Sequence, residues 1–272
     1  MRVSIVTNAF NQAQFLRQAL DSVLDQGWDD LQFIVNDPGS TDGTRAILEE
    51  YDARHPGKLT LVFEKDAGPA DGLNNGFARA DGELFMYLNA DDFLLPGAIA
   101  TAVKAAQRFP QAGAIYGDGY IVDIDGKPVR RAISTPFTPK GFVYGSAFVL
   151  QQSTYYRASA FRAVGGFNTA NKTSWDAEIL LDMALKGIEL RHVPGFWSAF
   201  RIHGDSITGS QRLAEESARN HRRFFKTVMG RERTRRDDRL RKLNQLAMRI
   251  TSPRATAMRI ADQIRPPSAL KP

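Results

Sequence analysis

At 272 residues, 43% hydrophobic and 24% charged, the chain is long enough to bury one large α/β core, with or without an appendage, and its usage excludes a disordered, collagen-like or disulfide-stapled protein. It has no cysteine, so thiolate nucleophiles, disulfides and cysteine zinc sites are excluded and a metal must sit on oxygen or imidazole ligands. The net charge of +6 is unevenly placed, with 17 Lys and Arg against 6 Asp and Glu in residues 212–272 and an excess of acids before them.

The chain opens on a β-favouring run at 3–7, followed by Phe15, Leu16, Ala19, Leu20, Val23 and Leu24 at helical spacing. The same strand-then-helix step recurs at 31–36 and 44–51, at 59–64 and 70–80, and at 84–88 and 97–109. Four such steps predict an α/β fold with a doubly wound, mostly parallel sheet, in which ligands bind beyond the carboxyl ends of the strands. Residues 116–123 and 128–133, joined by Ile124-Asp125-Gly126-Lys127, predict a hairpin. Residues 145–157 read as loop and strand, and Gly165-Gly166-Phe167-Asn168 as a turn. The periodicity of Ile179, Leu180, Met183, Ala184 and Leu185 predicts a helix starting near Trp175 and Asp176, and a last strand is expected at 197–201.

In the basic tail Leu240, Leu243, Leu246, Ala247 and Ile250 recur at helical spacing among arginines. This suits an amphipathic helix on a membrane or on the body, and equally a basic patch facing nucleic acid or solvent. The first residues hold too short an apolar run for a signal peptide and no stretch reaches spanning length, so a soluble cytoplasmic protein is expected.

The residues after the four strands are rich in Asp, Asn, Gly and Ser: Thr7-Asn8-Ala9-Phe10-Asn11, then Asn36 to Thr44, Glu64 to Gly68, and Asn89-Ala90-Asp91-Asp92. Each alone has the composition of a turn or a helix cap. Four converging on one sheet edge make a polar site. Asp91 and Asp92 stand at the mouth of a low-dielectric sheet, where their repulsion is poorly screened and a divalent cation relieves it. Carboxylates suit Mg²⁺ or Mn²⁺, ions that keep positions open for a diphosphate; a helix cap or an exposed turn is the structural alternative. No Gly-x-Gly-x-x-Gly follows the first strand and no P-loop occurs, which removes the signatures of dinucleotide oxidoreductases and P-loop kinases.

In this order the motifs resemble family 2 glycosyltransferases of the GT-A fold, over about residues 3–210. The resemblance rests on Ser4 to Asn11, Asp21 to Gln26, Asn36 to Thr44, Asp66 through Gly76, and Gly82 to Asp92. It implies a glycosyltransferase domain at 1–210, with a nucleotide-sugar half (1–110) and a smaller acceptor half (111–210), and a basic helical extension at 211–272. It further implies metal-dependent, inverting transfer of a sugar from a nucleoside-diphosphate sugar to a hydroxyl of a saccharide or lipid-linked acceptor. The setting implied is cell-surface glycan or polysaccharide synthesis, on the cytoplasmic side and peripheral to the inner membrane surface. By the same resemblance Thr7, Ala9, Asn11, Asp37, Asp66, Asn74 and Asp91 line the donor, Trp175 lies on the acceptor side, Asp92 binds Mn²⁺ or Mg²⁺, and His203 reaches the metal or diphosphate.

Attack by a hydroxyl needs a base, and a carboxylate suffices. Asp176 is the choice, matching the aspartate of the family's Glu-Asp motif with Trp175 in place of the acidic neighbour. Its structural alternative is a capping box over Thr173-Ser174-Trp175-Asp176, and Glu178, on another helix face, is the fallback base. Residues 204–210 are expected to close over the donor as a lid, and Tyr155, Tyr156 and Trp197 to fill core. His55, His192 and His221 are given no role. Two competing readings are a sugar nucleotidylyltransferase, whose Gly-rich loop with Arg is absent after the first strand, and a non-catalytic nucleic-acid-binding protein using the tail.

Overall fold

The computed structural model describes residues 1–204 and 213–271, with the side chains of 247–251 left aside. Apart from Gly204, the lid expected at 204–210 lies outside the described residues, as do the expected domain boundary at 210 and the Ala247 and Ile250 positions of the tail stripe. The strand-helix alternation of the first half is present as β1 (Val3–Asn8), α1 (Ala13–Leu24), β2 (Leu31–Asn36), α2 (Thr44–Arg54), β3 (Leu59–Val62), α3 (Pro69–Ala78), β4 (Leu84–Tyr87), a two-residue β5 (Phe93–Leu94) and α4 (Ala98–Arg108). The second half contains β6 (Ala112–Val122), β7 (Pro128–Ala132), α5 (Pro139–Val143), β8 (Thr154–Arg157), α6 (Ala158–Ala163), α7 (Trp175–Leu185) and β9 (Glu189–Arg201).

All nine strands form one sheet in the order β3-β2-β1-β4-β8-β6-β9-β5, with β7 on β6. β3, β2, β1 and β4 are parallel, and antiparallel β8 joins them to the second half. The first strands are buried on both faces, so alternate side chains enter two cores. Val3, Ile5, Phe33, Val35, Leu84 and Met86 pack with α1, α2 and α4; Val6, Ile34, Phe85 and Tyr87 pack with α3, α6 and α7. The winding runs outwards from β1 through β2 to β3, and α3 then crosses back to reach β4. The reversal falls between β1 and β4, the position at which open sheets of this kind bind ligands beyond the carboxyl ends of their strands.

β9 begins at Glu189, well before the expected 197. Its early residues Arg191, His192, Pro194 and Gly195 hide a strand, and its parallel register with β6 is broken on both sides of Asp118, which removes the simple alternation that would mark it. Tyr155, Tyr156 and Trp197 are buried. Gly117 on β6 makes room for the Trp197 ring, since a Cβ there would lie 2.4 Å from Trp197 Cδ2.

The tail folds as α8 (Ala214–Met229), α9 (Arg235–Thr251) and α10 (Pro253–Ile264), and it lies on the body. Phe224 and Phe225 are buried against Phe142 and Tyr144. Tyr144 donates to Asp237 at 2.8 Å, Arg254 donates to Asp118 at 2.6 Å, and Arg131 pairs with Asp262. Among the described residues no helix is long and apolar enough to cross a membrane.

Helix α3 approaches β1 closely beside this reversal. At Gly76 an added Cβ would lie 2.4 Å from Val6 Cγ1 and 2.9 Å from Asn36 Nδ2. Helix propensity favours Ala over Gly by about 1 kcal/mol, whereas overpacking costs about 1–3 kcal/mol or more. Gly76→Ala is therefore expected to lower the midpoint of urea unfolding; a raised midpoint would show that propensity outweighs the contact.

Candidate active site

The loops after β1 and β2 are tied together. Asn11, at φ 52° the only non-glycine residue of positive φ among those described, occupies a backbone region that Asn tolerates. Its side-chain oxygen accepts from Thr41 N and its own N–H donates to Ser40 Oγ, both at 2.9 Å. α1 has no side-chain cap at its own N-cap residue. The second loop satisfies its first N–H groups instead, with Gln12 N donating to Thr44 Oγ1 at 2.9 Å and Ala13 N to Asp42 Oδ2 at 3.0 Å. Ala9 is buried and donates to Asn36 O at 2.8 Å.

Asp37 is held inside this weld. Its Oδ1 accepts from Gly39 N, Ser40 N and Ser40 Oγ at 3.1, 2.8 and 2.6 Å. Its Oδ2, together with Thr7 Oγ1 and Asn36 Oδ1, is buried without a hydrogen-bond partner among the described residues. A buried polar atom left unpaired costs about 1–3 kcal/mol. Three of them at the ends of β1 and β2 suit a ligand that donates hydrogen bonds.

The two aspartates after β4 have different surroundings. Asp92 is 1% exposed; its Oδ1 accepts from Arg201 N at 2.8 Å, and its Oδ2 from Gln152 Nε2 at 2.9 Å and Asn89 Nδ2 at 3.1 Å. Burial and then the charge of Asp91 push its carboxyl well above the usual range, against those hydrogen bonds. Asp91 Oδ2 lies 3.0 Å from His203 Nε2. The metal role expected of Asp92 thus meets a carboxylate enclosed by three protein donors, while the more open carboxylate is Asp91, with His203 beside it.

Beneath this turn lies Arg201, which sequence reasoning passed over. Its guanidinium donates from Nε to Asp91 O at 2.8 Å, from Nη1 to Ile124 O at 2.6 Å and from Nη2 to Gln18 Oε1 at 2.5 Å. The Phe15 and Phe93 rings lie 4.8 and 5.6 Å from Cζ. Burial holds its pKa below the ordinary arginine value, with Asp92 and Asp91 acting in the opposite sense. Part of the positive charge demanded by the acidic pair is therefore built into the fold. The available signal was an arginine ending the apolar strand Trp197-Ser198-Ala199-Phe200, since a buried arginine is almost always paired.

Asp66 accepts from Gly68 N at 2.9 Å, and burial, then Asp71, raises its carboxyl. Gly72 leaves it space, because a Cβ there would lie 2.5 Å from Asp66 Oδ2. The donor-lining role expected of Asn74 is not supported by its contacts. Its Nδ2 donates to Phe167 O at 2.8 Å and its Oδ1 accepts from Phe167 N at 2.9 Å, so the amide satisfies both backbone groups of one residue and ties α3 to the loop ahead of α7.

On the acceptor side Trp175 packs against Tyr87 and Phe167, with centroids 5.1 and 4.8 Å away. Asp176 is the second residue of α7. Ser174 is the N-cap but makes no side-chain cap bond, so the capping box does not form. Burial raises the Asp176 carboxyl, opposed by the N–H groups of Ala177 and of Asp176 itself. After burial itself, the charges of Asp176 and Asp92 both push the Tyr87 hydroxyl upward, which places the base candidate and the acidic turn around one side chain. Glu178, the fallback base, is buried and paired with Arg223 at 2.5 Å.

Residues 4–165 match the sequence profile of Glycosyl transferase family 2. The chain is 24% identical to the chondroitin synthase of Escherichia coli over 206 residues, 76% of this chain and 30% of that protein. It is 32% identical to an uncharacterized glycosyltransferase of Mycobacterium tuberculosis (strain ATCC 25618 / H37Rv) over 187 residues, 67% of this chain and 69% of that one. It spans only 41% of an uncharacterized glycosyltransferase of Nostoc, so some of these relatives are much longer. Among solved structures, S. aureus TarS 1-349 in complex with UDP-GlcNAc superposes with a TM-score of 0.68 at 16% identity, covering 92% of this chain and 73% of that one. The mannosyltransferase PcManGT from Pyrobaculum calidifontis, in complex with GDP-Man and Mn²⁺, superposes with a TM-score of 0.65 at 21% identity, covering 97% and 75%. Both show the same GT-A fold. With the strand-end motifs, the parallel half-sheet and the profile in agreement, the chain belongs to glycosyl transferase family 2.

Proposed function

We propose that this glycosyltransferase moves a sugar, with inversion, from a nucleoside-diphosphate sugar to a hydroxyl of a saccharide or lipid-linked acceptor in polysaccharide synthesis. The observation that carries the reading is the winding reversal between β1 and β4, with the unpartnered Asp37 oxygen after β2, the Asp91–His203 pair after β4, and Asp176 and Asp92 both acting on the Tyr87 hydroxyl. Relatives named as chondroitin and hyaluronan synthases, and neighbours holding UDP-GlcNAc or GDP-Man, support the same class of donor.

Asp37, Thr7 and Asn36 offer acceptors to the N–H and O–H groups of a nucleoside, and Asp66 borders the same space. Asp91 and His203 would hold a divalent ion. Among the described residues no group of three ligating side chains surrounds one point, so the remaining positions fall to water and the diphosphate, which fits Mg²⁺ or Mn²⁺. The chemistry such an ion would supply when bound is neutralisation of charge on the departing nucleoside diphosphate. Asp176 takes the acceptor proton, for which a carboxyl raised by burial is a better base than an exposed one. Trp175 and the Tyr87 ring close one side of that carboxylate.

Peripheral contact with an anionic membrane belongs to this reading. On α9, Asp237 meets Tyr144, and Arg241 and Gln245 lie beside Gly145, so that face is turned to the body. Leu240, Leu243 and Leu246, on the opposite face, are 46, 60 and 56% exposed, beside exposed Arg236 and Arg239. Aliphatic side chains flanked by arginines suit an anionic lipid surface.

Three measurements check these assignments. A screen of nucleoside diphosphates by thermal shift is expected to find one that stabilises more with Mn²⁺ than without, by up to about 2.7 kcal/mol at a hundred times Kd. Asp91→Ala should remove the metal-dependent part with little loss of apo stability, whereas Asp92→Ala should destabilise the apo protein by about 2–4 kcal/mol because three donors lose their acceptor. The opposite pattern would return the metal role to Asp92. Asp176→Asn should keep the donor shift and lower turnover about 100-fold or more, and wild-type turnover should rise with pH as Asp176 deprotonates, above the usual carboxylate range because its pKa is raised. Retained turnover in the variant would assign the base elsewhere. The protein should sediment with phosphatidylglycerol-containing vesicles and much less with neutral ones, and Leu243→Glu with Leu246→Glu should abolish it; equal sedimentation of wild type and variant would remove α9 from that role.

A further inference from the structure

We propose that Arg223, in the tail, is a positioning residue for catalysis that acts through Glu178 on the helix carrying Asp176; the proposal rests on the reading of Asp176 as the base. Neither the charge of the tail nor its leucine spacing points to such a role, yet Glu216, Asn220 and Arg223 recur at i, i+4 and i+7 and so share one face of α8. That face is applied to the segment leading into α7. Glu216 Oε1 accepts from Lys172 N at 3.1 Å. Asn220 Nδ2 donates to Asn171 Oδ1 at 2.7 Å and to Thr173 Oγ1 at 2.9 Å. Arg223 grips Glu178 with both terminal nitrogens, at 2.5 and 2.8 Å.

Helix α7 needs this because it does not cap itself. With no side-chain bond from Ser174, its start is set by Asn171, whose Oδ1 accepts from Thr173 N at 3.1 Å and Ser174 N at 3.0 Å. Asn171 is in turn fixed by its Nδ2, which donates to Glu178 Oε2 at 2.6 Å, while Asn168 Nδ2 donates to Oε1 at 3.0 Å. A continuous chain of contacts therefore runs from Arg223 to Glu178, to Asn171, to the backbone one residue before Trp175 and two before Asp176. Glu178 is buried and Arg223 is its only cationic partner among the described residues. Without Arg223 the carboxylate either takes a proton or turns towards water, because an uncompensated buried charge is strongly unfavourable. Both outcomes weaken the bond that fixes Asn171, a charge-assisted contact in the native state, and loosen the first turn of α7.

The donor side has separate attachments. The loops after β1 and β2 are tied to each other and to the start of α1, so loosening α7 leaves those ties in place. The expected loss falls on kcat, since a displacement of about 1 Å in a catalytic group lowers rate on the order of 100-fold.

The test uses the full chain with UDP-GlcNAc and GDP-mannose as donor probes, reading released nucleoside diphosphate with Mn²⁺ present and using whichever donor turns over. Arg223→Ala is expected to lower kcat at least tenfold with KM for the donor within twofold of wild type, Arg223→Lys to recover part of the loss, and Asn220→Ala to lower kcat in the same way. Circular dichroism and the donor-induced thermal shift report whether each variant is folded. Unchanged kcat in folded Arg223→Ala and Asn220→Ala, with Asp176→Asn inactive, overturns the positioning role alone. An active Asp176→Asn overturns the reading of the base on which it rests. A uniform loss of donor binding in both tail variants also overturns it, since α8 would then support the whole fold rather than the base.

Discussion

A buried aspartate and a buried arginine at one end of a sheet determine how the rest of the site is arranged. Removing either charged group from water is unfavourable by several kcal/mol, and each is tolerated because its hydrogen-bonding capacity is met by the fold. Asp92 receives the Arg201 backbone N–H, Gln152 and Asn89, and the Arg201 side chain takes the carbonyls of Asp91 and Ile124. These bonds join β4, β9, the hairpin turn and the 3₁₀ turn at Gln151–Ser153 in one cluster. With Asp92 enclosed, the more open carboxylate is Asp91. The chemistry proposed for Asp91 is thus a consequence of the burial of its neighbour.

The site is shaped by the order of winding. Because α3 crosses back under β1 to reach β4, the loops of β1 and β2 stand on one side of the reversal and the acidic turn on the other. The first pair of loops is made rigid by hydrogen bonds that also cap α1, which leaves Asp37 Oδ2 and Thr7 Oγ1 buried and unpartnered. Rigid loops with unsatisfied acceptors favour a ligand over water, because the reorganisation needed for binding is already complete. The acceptor side is built differently, from a helix start with no cap of its own and a loop held from two sides.

The parallel half of the sheet and the four polar loops were legible in the sequence because both rest on local signals: period-2 and period-3.6 hydrophobicity, and turn-forming residues at strand ends. Asp37, Asp66, Asp91 and Asp176 were singled out for the same reason. What was not legible depended on distant partners. Asp91 and Asp92 were read as a pair facing one ion, whereas Asp91 sits in the turn that Asp92 N closes onto Asn89 O and Asp92 is enclosed by three donors from distant parts of the chain and from that turn. Asn74 was read as donor-lining from its place in a motif, whereas its amide satisfies both backbone groups of Phe167, a partner that no local pattern announces. Arg201 and Gln152 look like an ordinary strand end and an ordinary loop until the sheet brings them under the acidic turn.

The same reasoning changes the meaning of the basic tail. Its excess of arginine looked like a patch for a polyanion, yet Arg223, Arg231 and Arg254 are bound to Glu178, Asp237 and Asp118, carboxylates that are all buried. Two of those acids belong to a body whose own charge is negative, so much of the asymmetry between tail and body is an internal complementarity that holds one against the other. Arg223 and Arg254 attach the tail to α7 and to β6 through buried carboxylates. Cations left for an external partner include those on the outward face of α9, where Arg236 and Arg239 flank exposed leucines. Charge alone would suit nucleic acid equally well; the leucines between the arginines are what favour a lipid surface, because a polynucleotide backbone gives them nothing to be buried against.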